Sequence, residues 1–105
     1  MKKLAILFPK RLIAQFCKRW QIAELAVFGS VLRDDFSSQS DVDVLVTFQA
    51  GTEWSLIDHV RMQEELEGVL GRHVDLVTKK AVEKSQNWIR REAILSSAEV
   101  VYAQG

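Results

Sequence analysis

The chain has a single cysteine, Cys17, and a single proline, Pro9, in 105 residues. One cysteine excludes an intrachain disulfide, and no Cys/His cluster shows zinc-ligand spacing. A reducing, cytoplasmic setting is expected. Ser/Gly-rich linkers, low-complexity tracts and internal repeats are also missing, so one domain over 1–105 is expected. No apolar run nears the roughly 20 residues that a bilayer-spanning helix needs. The start, Met1-Lys2-Lys3-Leu4-Ala5-Ile6-Leu7-Phe8, imitates a signal peptide. Its apolar run holds only five residues, and a secretory core needs roughly 7–15. No membrane partner is expected.

An excess of one charge is missing too: 14 Lys and Arg balance 14 Asp and Glu. The balance hides an asymmetry. Residues 1–23 carry six bases (Lys2, Lys3, Lys10, Arg11, Lys18, Arg19) and no acid, so the acids all lie further on. Such a segment is either a solvated helix face or a basic surface for an acidic partner. Hydrophobic content of 48% supplies enough apolar material for a core.

The periodicity predicts a helix over 9–20, with Pro9 at its first position and Leu12, Ile13, Phe16 and Trp20 on one face. An apolar strand over 24–28 ends in Gly29. Ser30 to Arg33 reads as a short helix leaving it, and Asp34 to Ser40 as a loop. Residues 42–48 form the clearest strand, rich in β-branched side chains. A main helix over 55–70 places Leu56, His59, Met62, Leu66, Val69 and Leu70 on one stripe, with Gly71 closing it. A third strand is expected over 73–77. Residues 79–96 read as helical with a break near Ser85-Gln86-Asn87, and Glu99 to Tyr102 as a last strand. The order predicts an α/β (α+β) domain.

Chemistry concentrates between Gly29 and Asp43. Asp41 and Asp43 stand two apart at the head of a strand, so their side chains share a face while Val42, Val44 and Val46 pack the other. Two carboxylates this close repel unless a cation lies between them. Mg²⁺ prefers such oxygens together with substrate phosphates. Asp75, flanked by Val74 and Leu76, adds a third acid if its strand pairs beside the first. Three converging carboxylates can hold two divalent ions, which stabilise the attacking and leaving oxygens of a displacement at phosphorus. Asp75 could also serve as general base. Gly29 permits a tight turn, Ser30 adds a hydroxyl, and the free N–H groups of a helix start attract phosphate. Arg33, one turn on, could neutralise phosphate or pair with a site acid.

Each piece alone has a plainer reading: a turn, a solvated strand end, an acid paired with Arg72. Together, Gly-Ser, ten residues, then Asp-x-Asp would arise by chance about once per thousand chains of this length. His59 reads as a satisfied core residue and His73 as structural. Trp20, Trp54 and Trp88 read as packing, and Glu64, Glu65 and Glu67 as a solvated helix face. Arg90 and Arg91 read as surface residues.

The pattern Gly29-Ser30, then Asp41-Val42-Asp43, resembles the signature of the nucleotidyltransferase superfamily related to DNA polymerase β. The short chain resembles its minimal branch (MNT), which includes the MntA-type antitoxins of HEPN/MNT toxin–antitoxin pairs. The resemblance implies a single-domain nucleotidyltransferase fold, a mixed sheet flanked by helices. It implies Asp41, Asp43 and Asp75 as catalytic metal ligands, with Gly29, Ser30 and Arg33 on the nucleotide. It further implies Mg²⁺, ATP as substrate, and AMP transfer to a tyrosine of a partner HEPN toxin. Only 28 residues follow the third acid's strand, too few for a separate acceptor domain. A protein acceptor, docked by the basic 2–19 segment or the terminal helices, is therefore expected, and direct nucleic-acid binding is not. An antitoxin that acts by binding alone, or a transferase for a small molecule or RNA, remains the alternative.

Overall fold

The computed structural model of the chain describes residues 8–29 and 41–104. Ser30, Arg33 and the expected short helix between them lie outside that range, as do Lys2 and Lys3. The described elements run α1 (Lys10–Arg19), β1 (Ile22–Phe28), β2 (Val42–Phe48), α2 (Leu56–Leu70), β3 (Val74–Thr78), α3 (Lys79–Glu83), α4 (Trp88–Ser97) and β4 (Glu99–Ala103). The break expected near Ser85-Gln86-Asn87 separates α3 from α4. The strands form one mixed sheet in the order β3-β2-β1-β4. β1 is antiparallel to both neighbours, and β2 runs parallel to β3 across the α2 crossover.

Strand alternation gives the sheet two different faces. Leu25, Val27, Val42, Val44, Val46, Val74 and Leu76 point to one side and pack on Ile13, Phe16 and Cys17 of α1 and Met62 and Leu66 of α2. Ala26, Phe28 and Leu45 point to the other, under Val82 of α3 and Ile94 of α4. Ile22 also reaches the first core, three positions before Leu25. A register shift between Ile22 and Glu24 supplies the odd step that simple alternation forbids. Cys17 is fully buried, and desolvation pushes its thiol up to about 12. A thiol so held is an inert core group.

Three apolar expectations are corrected. Leu12 is 48% exposed and Leu56 79%, and Trp88 also stands out from the surface. The stripes on α1 and α2 are narrower than the periodicity suggests because the sheet covers only the side chains that face it. Pro9 is the N-cap of α1 rather than its first residue, and its carbonyl accepts from Ile13 N–H at 2.9 Å.

α2 is bounded by local chemistry at both ends. Gly71 takes the left-handed conformation (φ 67°) that closes a helix without a Cβ clash. At the start, Asp58 N–H donates to Ser55 Oγ at 3.1 Å and Ser55 N–H donates to Asp58 Oδ2 at 3.0 Å, a reciprocal capping box. These bonds from Ser55, backbone first, hold the Asp58 carboxyl below its ordinary value. Because the folded value is the lower one, the contribution is present above the unfolded value and is lost as pH falls through the folded value. Asp58→Ala is therefore expected to lower the urea midpoint at pH 7, with the gap to wild type narrowing below pH about 3.9. Unfolding curves at pH 7 and in acid check this.

Candidate active site

β1 ends and β2 begins at the same edge of the molecule, because the two strands are antiparallel. Phe28, the last residue of β1, pairs with Asp43. On the other side of β2, Asp43 pairs in register with Asp75 of the parallel strand β3. Neighbouring strands lie about 4.8 Å apart, so the backbone sets these two acids side by side. Both fall between residues of the first core, Val42 and Val44 in one case and Val74 and Leu76 in the other. Alternation therefore turns them to the opposite face, beyond Leu45 and Val77. Asp43 is half-buried, while Asp75 and Asp41 are exposed, Asp41 standing one residue ahead of β2.

Gly29 follows directly on β1 with φ 72°. A Cβ built there would collide with the Asp43 carboxylate, Oδ2 being its nearest neighbour. Glycine is thus favoured by the left-handed backbone, and any side chain there would also push the Asp43 carboxylate aside. The sheet brings together Gly29, Asp43 and Asp75, with Asp41 two residues before Asp43. The donor set is all carboxylate oxygen, which suits Mg²⁺ rather than a softer ion. Among the described residues no three acidic, His or Cys side chains are yet gathered tightly enough to hold an ion.

Several residues behave differently from their sequence reading. Glu65 is half-buried and accepts from both Arg19 and the Trp20 indole. Trp20 and Trp54 meet edge-to-face with ring centres 5.0 Å apart, and Trp54 Nε1–H donates to the Trp20 carbonyl at 3.0 Å. Arg19 is thus an exposed base engaged by Glu65, while Lys10, Arg11 and Lys18 are the other exposed bases of α1. Glu67 accepts from Val74 N–H at 2.9 Å rather than facing water. His59 is half-buried and satisfied, as expected, by the Leu76 carbonyl at 2.9 Å. His73 is exposed, with Nδ1 3.6 Å from Glu67. Gln63, which its sequence position does not mark, accepts from Leu76 N–H at 3.2 Å. The only sequence signal for this last group is a polar 59/63/67 spacing of one helical turn.

The mixed sheet thus sets carboxylates on adjacent strands beside a glycine in the left-handed conformation. A family model described as a nucleotidyltransferase domain matches residues 9–101, and the chain belongs to that family. It is similar to the protein adenylyltransferase MntA of Thermococcus cleftensis, 40% identical over 65 residues that make up 62% of this chain and 64% of that one. A solved structure of an inferred minimal nucleotidyltransferase is 34% identical, with 86% of each chain covered and a TM-score of 0.65. The fold is also that of a complex between a tri-AMPylated Shewanella oneidensis HEPN toxin and an MNT antitoxin. There the TM-score is 0.60 at 16% identity, covering 90% of this chain and 70% of the other. Among the described residues the fold is thus a four-stranded nucleotidyltransferase sheet with helices on both faces.

Proposed function

We propose that this chain transfers AMP from ATP to a hydroxyl of a partner protein, a tyrosine of a HEPN toxin, and so acts as its antitoxin. The observation carrying this reading is the pairing of Asp43 with Asp75 in register, with Gly29 pressed against the Asp43 carboxylate. Family membership supports it, as do the adenylyltransferase named above and the AMPylated toxin complex.

Asp41, Asp43 and Asp75 would hold two Mg²⁺ ions, which supply charge neutralisation at the triphosphate. Gly29 leaves room for the Asp43 carboxylate, and Ser30 and Arg33 would contact phosphate oxygens. The acceptor oxygen attacks the α-phosphorus while the bond to pyrophosphate breaks. Asp75, the more exposed member of the register pair, receives the hydroxyl proton. Lys10, Arg11 and Lys18 offer a basic face for an acidic partner. A reducing, cytoplasmic site of action fits the single buried cysteine.

The test is to incubate the chain, Mg²⁺ and α-labelled ATP with a purified HEPN-type protein. Label on the partner, lost with EDTA and on replacing the acceptor tyrosine by Phe, is expected. Label appearing instead on RNA or an aminoglycoside with the isolated chain would replace the protein acceptor.

A further inference from the structure

Among the described residues β3 is an edge strand, so the outward N–H and C=O groups of Val74 and Leu76 face no neighbouring strand there. α2 takes that place. Glu67 accepts from Val74 N–H, Gln63 accepts from Leu76 N–H, and His59 Nε2–H donates to the Leu76 carbonyl. The three side chains recur every four residues, about 6 Å along a helix. The two strand residues recur every second position, about 6.6 Å along a strand. The periods nearly match, so one helix face can bond successive outward groups of the strand. All three contacts are partly buried, where a satisfied bond discriminates strongly against an unpaired group.

Asp75 lies between the two bonded residues. Its register against Asp43 depends on how firmly β3 is held at both edges, and β2 supplies only one. We infer that His59, Gln63 and Glu67 form a positioning ladder that fixes β3, and with it the register of Asp75 against Asp43. This rests on the reading of Asp43 and Asp75 as metal ligands. None of the three touches substrate: they lie on the α2 side of the sheet, and the acids face the other side.

The test compares wild type with Gln63→Met and Glu67→Met, which remove an acceptor at similar size, and with Glu67→Gln, which keeps one. Amide exchange at Val74 and Leu76 is read by NMR, with Val44 as internal control, and Mn²⁺ affinity is titrated on the same samples. Gln63→Met should speed exchange at Leu76, and Glu67→Met at Val74, by about tenfold, with Val44 unchanged. Both should weaken Mn²⁺ by about tenfold, and Glu67→Gln should match wild type in both readouts. With substrate present, kcat should fall in the two Met variants while KM for ATP stays within about twofold. Unchanged exchange in the Met variants, or faster exchange with undiminished Mn²⁺ affinity, would overturn the ladder. If wild type fails to bind Mn²⁺ at all, the metal-ligand reading falls and the ladder falls with it. If Mn²⁺ and exchange behave as expected but no AMP is transferred, the ladder stands and the adenylyltransferase reading fails.

Discussion

Replacing Asp41 and Asp43 together by Asn is expected to cut labelling of the partner by about a thousandfold or more, the rate equivalent of several kcal/mol of charge stabilisation. The amide keeps the shape of the carboxylate, so Asp43→Asn still fits beside Gly29 and on the Leu45 face. The negative charge that would hold Mg²⁺ is lost. Stability should move the other way. Asp43 and Asp75 are paired in register with like charge, and neutralising one removes that repulsion, so the melting temperature should hold or rise. A chain with unchanged melting, no Mn²⁺ binding and no transfer is the expected result, read by calorimetry, titration and labelling on one preparation. If the double variant still neutralises its toxin fully in cells, the antitoxin works by occlusion and transfer is dispensable.

Gly29→Ala should damage both fold and activity. A non-glycine residue in the left-handed region costs roughly 1–2 kcal/mol, and here the added methyl also meets the Asp43 carboxylate. The carboxylate must swing aside, and a displacement of about 1 Å at a reacting centre can lower the rate about a hundredfold. The two penalties separate in a double-mutant cycle. Asp43→Ala should restore much of the steric part of the stability loss and none of the activity. A coupling of at least about 0.5 kcal/mol between the two positions, measured by urea unfolding, would locate the clash. Strict additivity would mean that the loop relaxes away from Asp43.

Most of the architecture could be read from periodicity because its signals are local. The alternation of β2, the Gly71 stop on α2 and the break between α3 and α4 are set by residues adjacent in the chain. Asp43 and Asp75 stood out because an acid amid valines and leucines in a strand needs a reason. Their exact opposition across parallel strands could not be read, since register belongs to the pairing and not to either strand alone. The same limit hid Glu65 and Glu67. On a helical projection they resemble any solvated glutamate, and their partners, Trp20 and the β3 backbone, are supplied by tertiary structure. Leu12 and Leu56 misled in the opposite sense, as apolar residues that the sheet does not cover. Gly29 was legible as a turn, but the second reason for glycine there, the neighbouring carboxylate, required the β1–β2 pairing. Ser30 and Arg33 lie outside the described residues, so their roles rest on the motif.

The crossover that carries the chain from β2 to β3 also has a temporal meaning. Asp43 and Asp75 are separated by the whole of α2, and they meet only when that helix has docked and β3 has found its place. Non-local parallel pairing of this kind forms late, after loop closure has been overcome. A nascent or partly unfolded chain can therefore own both acids without owning the pair. Competence at this site therefore asks more than the presence of two acids: the register of two short strands is a built-in check that only a folded chain passes.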